Sequence, residues 1–260
     1  MNIVVCIKQV PNTDEIRLDP KTGTLIREGV PSVINPDDKA GLEAALRLKD
    51  SMGAHVSVLT LGPPQAEDVL REALAMGADE AVLVTDRAFS GGDTLATAYV
   101  IAAALKTMEY DLIVTGRQAI DGDTAQVGPQ IAEQLNIPNI SYAEDIRVED
   151  SSVIVNSQLG DRCYVVKAKI PCLITVLSEL NKPRYMTPGG IFDAYRKGIK
   201  KITRRNLDVD DRYLGLKGSP TRVVKTFTKT VKTAGTVIDP SDPQEAARCM
   251  LEKLREKFIL

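Results

Sequence analysis

DLIVTGRQAIDGDTAQVGPQIAEQL, residues 111–135, sets an apolar run against a turn and then a helical pattern. DLIVT (111–115) is short, β-branched and continuous, as expected of a strand buried on both faces. Gly116 ends it, and Ile120-Asp121-Gly122-Asp123 turns the chain. Residues 123–135 then read as a helix whose first turn is Thr124, Ala125, Gln126 and Val127. A strand, a short turn and a helix make half of a βαβ unit.

Outward from this stretch the same alternation recurs. NIVVCIK (2–8), HVSVLTLG (55–62) and EAVLVTD (80–86) read as strands. AEDVLREALAMGA (66–78) and DTLATAYVIAAALKTM (93–108) read as helices, and a further helix runs from about 36 to Met52. For that one Asn35 serves as N-cap, Pro36 suits the first helical position, and Asp37 and Asp38 favour the positive helix end. The pattern predicts an α/β fold, a mostly parallel open sheet flanked by helices, over residues 1–142. IRLD (16–19) and TLIRE (24–28) flank Pro20-Lys21-Thr22-Gly23 and suggest a small hairpin. RVEDSSVIVNSQ (147–158) and RCYVVKAKI (162–170) form an antiparallel extension, after which CLITVLS (172–178) can rejoin the main sheet.

After Leu180 the character changes. NKPRYMTPGGIFDAYRKGIKKITRR (181–205) is rich in Gly, Pro and basic residues and reads as a mobile or partner-facing loop. Residues 206–236 show little core pattern, and 241–260 form an amphipathic helix with Ala247, Met250, Leu251, Leu254 and Phe258 on one stripe. Such a tethered helix packs on its own domain or on a partner; the pattern does not choose.

Composition narrows the chemistry. The net charge of -2 supplies no basic field for nucleic acid, and no apolar run reaches membrane-spanning length. The opening lacks a signal-peptide pattern, so a cytoplasmic location is expected. Cys6, Cys163, Cys172 and Cys249 show no Cys-x-x-Cys spacing, and His55 is the one histidine, which leaves little for a metal centre or a histidine-based triad.

Neither a Rossmann glycine fingerprint nor a P-loop is present. Two glycine-rich helix starts remain. At the first, backbone N–H groups of Thr124 to Val127 suit a phosphate, while Asp121 and Asp123 shape the turn or meet ribose hydroxyls. The second is Ser90-Gly91-Gly92-Asp93-Thr94, which caps a helix, binds an anion, or both. It bears a partial likeness to the pyrophosphate loop of N-type ATP pyrophosphatases, but it follows a later strand and is one residue short. In an open α/β sheet the ligand crevice lies beyond the strand carboxyl ends, here Cys6–Lys8, Leu61–Pro63 and Val114–Gly116, with Asn35 reaching in from the preceding loop. A regulatory nucleotide-binding module of the universal stress protein kind is a further alternative.

CIKQVP (6–11), NPDDKAGLEAA (35–45), LGPPQAEDVLREALAMGAD (61–79), GRQAIDGDTAQVGPQIAEQL (116–135), IPCLIT (170–175) and NKPRYMT (181–187) together resemble the small (β) subunit of electron transfer flavoprotein. The resemblance implies an adenine-nucleotide α-hydrolase-like core over residues 1–190, with a partner-recognition loop at 181–196, and an extension and arm over 191–260 that pack on an α subunit. It implies an adenine nucleotide held by Cys6, Asn35, Leu61, Val114, Gly116, Gly122, Asp123, Thr124, Ala125, Gln126 and Val127. That nucleotide is AMP in ordinary members and FAD in electron-bifurcating ones, with another FAD in the α subunit.

Two features point to FAD here. Asp37 stands where ordinary members carry a bulky aromatic, and Ser90, Gly91, Gly92, Asp93 and Thr94 resemble the loop that bifurcating members place near NADH. The implied activity is hydride acceptance from NADH and division of the electrons between the α-subunit FAD and ferredoxin or flavodoxin. Arg184, Tyr185, Pro188, Ile191 and Phe192 are the implied docking residues for a flavin dehydrogenase such as an acyl-CoA dehydrogenase. Pro188 replaces the leucine usual in the family, so Ile191 and Phe192 are substitute anchors.

Overall fold

The computed structural model describes residues 1–12, 17–18, 25–26, 31–221, 224, 235, 237–238 and 241–259. It comprises two compact units, Met1–Arg222 and Val223–Leu260. Residues 191–222 thus belong with the α/β core. In chain order the first unit contains β1 (Asn2–Cys6), β2 (Gln9–Pro11), β3 (Arg17–Leu18), β4 (Leu25–Ile26), β5 (Ser32–Ile34), α1 (Pro36–Met52), β6 (His55–Leu61), α2 (Glu67–Met76) and β7 (Glu80–Val84). It continues with α3 (Thr94–Leu105), β8 (Leu112–Gly116), α4 (Val127–Leu135), β9 (Asn139–Glu149), β10 (Ser152–Leu159), β11 (Arg162–Lys169), β12 (Cys172–Val176), α5 (Pro188–Arg196), β13 (Ile199–Ile202) and α6 (Gly215–Gly218). The second unit holds α7 (Pro243–Glu256).

Nine strands form one sheet in the order β11-β10-β9-β12-β8-β1-β6-β7-β13. The run from β9 to β13 is parallel, and β9, β10 and β11 pair antiparallel as the expected extension. CLITV does rejoin the sheet, between β8 and β9. The central parallel strands β12, β8 and β1 are largely apolar because both faces are covered. Ile3 and Val5 enter the core beneath α1 and α2, whereas Val4 and Cys6 enter the one beneath α3 and α4. This is the period-2 alternation of a strand buried on two sides. The chain moves from β1 toward β6 and β7, then crosses back to β8 on the other flank. The sheet therefore changes direction between β1 and β8, and a crevice opens at their carboxyl ends.

Arg17–Leu18 and Leu25–Ile26 pair antiparallel, as the hairpin reading expects, while its turn at 20–23 lies outside the described residues. Three readings are corrected. The helix of the opening stretch starts at Val127, not 123, because Asp123 and Ala125 adopt φ of 51° and 53°, which no right-handed helix admits. The stretch 181–205 is not simply a loop. Thr187 caps α5 by accepting from the Gly190 amide, Pro188 occupies the first turn, and β13 follows as a basic edge strand against β7. Residues 206–219 also contribute to the core, since Leu207, Val209 and Leu214 are buried against the α3–α4 face. Three isolated apolar residues beside short 3-10 turns leave no periodicity for a sequence pattern to catch.

In the second unit, Asp242 caps α7 through the Gln244 and Glu245 amides. Met250, Leu251, Leu254 and Phe258 are exposed. Among the described residues no helix is long and apolar enough to cross a membrane.

Candidate functional site

The crevice at the sheet's reversal is a cleft of about 1150 Å³. Its floor comes from the strand ends Cys6–Lys8, Leu61–Gly62 and Thr115–Gly116. One wall is the loop from Gly116 to the start of α4, and the other is the Ser90–Thr94 loop. Both glycine-rich candidates therefore face one cavity. Phe89, Ile101, Val127 and Ile131 add apolar lining.

Asp38 organises the floor. Its carboxylate accepts from the Lys8 amide at 2.8 Å and from the Gly116 amide at 2.9 Å, joining the ends of β1 and β8. Burial pushes its pKa up to about 7, against the hydrogen bonds from Lys8, Asn35 and Gly116 that lower it. Burial, with the nearby Asp38 charge, also pushes the Cys6 thiol to about 12, so Cys6 lines the cleft as an inert thiol. Asp37 turns elsewhere: it accepts from the Ser178 amide at 3.1 Å and lies 3.5 Å from Arg117 Nε. Both aspartates stand in the first turn of α1, as the helix-start reading expects, and Asp38, not Asp37, lines the cleft. Gly116 is obligatory here, since a Cβ on it would collide with Asp38 Oδ1 and come within 2.7 Å of Asp37 Cβ.

Asn35 is fully buried and makes no side-chain cap. It instead donates to the Gln118 carbonyl at 2.8 Å and accepts from the Ile120 amide at 3.1 Å, bracing the loop from behind. Asp121 pairs with Lys8 Nζ at 2.6 Å, and Asp123 accepts from Gln118 Nε2 at 2.7 Å. Both carboxylates thus serve the turn. The Gly122 and Asp123 amides are spent on the Ala119 carbonyl. Those of Thr124, Ala125 and Gln126 carry no hydrogen bond among the described residues. Ala125 in the left-handed region followed by Gln126 in the right-handed one makes a backbone concavity at the start of α4, a shape suited to an anion.

On the opposite wall, Asp93 caps α3 by accepting from the Ala96 amide at 3.1 Å. Gly91 has φ of 74°, and the Gly91 and Gly92 amides carry no hydrogen bond among the described residues. The walls touch where Thr94 Oγ1 donates to Gln126 Oε1 at 2.9 Å.

Of the sequence candidates, Cys6, Leu61, Gly116, Gly122, Thr124, Ala125, Gln126, Val127 and Ser90 to Thr94 line the cleft. Asn35, Val114 and Asp123 do not; Val114 is buried in the core under α1. Sequence reasoning passed over Asp38, Phe89 and Arg87 as cleft residues. The Asn-Pro-Asp-Asp run held the signal for Asp38, because two acids at a helix start outnumber what capping needs.

The docking candidates lie apart, around α5. Tyr185 is 88% exposed and Phe192 61%, with Ile191 and Pro188 also exposed. Arg196 stacks 4.2 Å over the Phe192 ring. Arg184 is not free: it binds Glu43 at 2.8 Å and Asp50 at 2.7 Å, fastening the segment to α1. His55 stands at the first residue of β6, away from the cleft. No cluster of three or more metal-ligating side chains occurs among the described residues.

Residues 22–208 match the electron transfer flavoprotein domain family. The chain is 58% identical to an electron transfer flavoprotein subunit beta of Clostridium acetobutylicum, over the full length of both. It is 51% identical to the caffeyl-CoA reductase-Etf complex subunit CarD of Acetobacterium woodii, and 43% identical to the acryloyl-CoA reductase electron transfer subunit gamma of Anaerotignum propionicum, again over both full lengths. With its sheet reversal, its cleft and these matches together, the chain belongs to the electron transfer flavoprotein family as a β subunit.

Proposed function

We propose that this chain pairs with an α subunit, holds FAD in the cleft, accepts hydride from NADH there, and divides the electrons between the α-subunit FAD and a ferredoxin or flavodoxin. The observation that carries the reading is the meeting of two anion-suited loops across one cavity of about 1150 Å³. That exceeds the several hundred Å³, up to about 1000 Å³, of a usual small-ligand pocket. A single AMP leaves the Ser90–Thr94 wall without a partner.

The residues fit a dinucleotide. Free amides of Thr124 to Gln126 suit its pyrophosphate, and Leu61, Phe89 and Ile131 offer apolar surface to rings. A bound flavin supplies the exchange of two-electron for one-electron chemistry. The chain's own tasks are placement and electrostatics: Asp38 holds the two strand ends, Lys8 and Asp121 pin the loop, and Gly91 and Gly92 leave amides for an NADH pyrophosphate. No side chain need serve as a general acid or base.

The names of the relatives support a CoA-ester reductase or dehydrogenase as electron partner. Tyr185, Ile191 and Phe192 are the proposed docking face, with Arg184 securing its base. The setting is the cytoplasm. Anaerobic titration of the purified α/β complex with NADH tests the hydride step. Bleaching of flavin absorbance at stoichiometric NADH is expected; unchanged absorbance refutes it.

A further inference from the structure

The Ser90–Thr94 loop is shaped by the chain that passes behind it. The Asp93 amide donates to Ser219 Oγ at 2.8 Å, and that hydroxyl donates in turn to the Gly215 carbonyl at 2.8 Å. The Thr221 amide donates to Asp93 Oδ2 at 3.0 Å, and the Leu216 amide to the Ser90 carbonyl at 3.1 Å. Ser219 is 5% exposed. Gly215 adopts φ of 52°, and a Cβ on it would meet the Ala88 carbonyl oxygen at 2.5 Å and that of Ser90 at 2.7 Å. Gly91, at φ of 74°, rests on Leu216.

These bonds sort the loop's donors. The Ser90 amide is spent on Arg87 and that of Asp93 on Ser219, while both Asp93 carboxylate oxygens are taken by Ala96 and Thr221. Asp93 is therefore occupied by the protein, and Gly91 and Gly92, with Thr94 at the helix start, are the amides left to an anion.

We infer that Ser219 is a positioning residue for pyridine-dinucleotide binding: its buried hydroxyl, seated on Gly215, holds the glycine loop in the one shape that presents Gly91 and Gly92 to a pyrophosphate. This rests on the reading of the loop as the NADH site. Ser219 touches no ligand and acts through Asp93. The support of the cleft's glycine loop thus comes from a segment 126 positions away in the chain.

The test uses the α/β complex and NADH, with ferricyanide as electron acceptor. Ser219→Ala is expected to raise KM for NADH about threefold to tenfold, from the loss of the one neutral hydrogen bond that reaches the loop, with kcat and bound flavin nearly unchanged. Gly215→Ala, which pushes on the Ser90 carbonyl from a different atom, is expected to raise KM in the same way. Lys217→Ala, exposed in the same segment, leaves KM unaltered. Wild-type NADH oxidation combined with an unchanged KM in both Ser219→Ala and Gly215→Ala overturns the inference alone. A wild-type complex that neither binds nor oxidises NADH overturns the dinucleotide reading, and the inference with it. Parallel loss of kcat and flavin in Ser219→Ala also overturns it, because a merely structural serine behaves that way.

Discussion

Asp38→Asn separates the electrostatics of the cleft floor from its hydrogen bonding. In the folded chain the Asp38 carboxyl titrates at about 7 because burial outweighs its hydrogen bonds. In the unfolded chain it titrates at about 4. Between these values the native state keeps a proton that the unfolded state releases, so this group makes stability fall as pH rises from about 4 to 7. A displacement of about three pK units at about 1.4 kcal/mol each amounts to about 4 kcal/mol by pH 8, against about 1.6 kcal/mol at pH 5. Asparagine abolishes that slope. It also turns one acceptor into an N–H facing either the Lys8 or the Gly116 amide, at a cost of about 1–3 kcal/mol at any pH. The variant should therefore gain on wild type by about 2 kcal/mol between pH 5 and pH 8. Melting temperatures of the α/β complex at both pH values measure this as a relative shift of about 4–8 °C. A difference between variant and wild type that is equal at the two pH values refutes the reasoning.

Other substitutions probe the supports around the cleft. Gly128→Ala places a Cβ 2.7 Å from Thr115 Oγ1 and Thr175 Cγ2, so α4 must lift from the sheet; a loss of about 1–3 kcal/mol in urea unfolding is expected. Arg184→Ala strips a buried carboxylate of its main partner. Burial works against the charge of Glu43, but bonds from Arg184 and Arg47 outweigh it and hold its pKa below the usual range. That stabilisation exists above the unfolded value near 4.3 and fades as pH falls through the lowered native one, so the variant should lose about 1–3 kcal/mol at pH 7 and less at pH 4. A double-mutant cycle on Thr94→Val and Gln126→Leu should report a coupling of about 0.5–1.5 kcal/mol between the two walls; additive effects contradict the contact. Tyr185→Ala with Phe192→Ala should raise the apparent KM for the dehydrogenase without changing flavin content.

Much of the sheet was legible because its central strands are continuous β-branched runs and α1, α2 and α4 end at Gly53, Gly77 and Asn136. Ile3 to Cys6 and Leu112 to Thr115 needed no tertiary knowledge. The glycine-rich loops were legible as helix starts, yet their meeting across one cavity was not, since only the sheet order brings Thr94 to Gln126. Asn35 shows why capping residues mislead: the same side chain that suits a helix start here satisfies the Gln118 carbonyl and the Ile120 amide of a loop far along the chain. The Ser219 buttress and the core residues Leu207, Val209 and Leu214 left no trace in periodicity, because they lie in irregular segments placed by the α/β core they cover.

The central claim is that the cleft holds a flavin. Co-expression with the α subunit, denaturation of the pure complex and quantification of released nucleotides tests it most directly. The account predicts two FAD per heterodimer and no AMP; one FAD with one AMP contradicts it and takes the NADH reading of Ser90 to Thr94 with it.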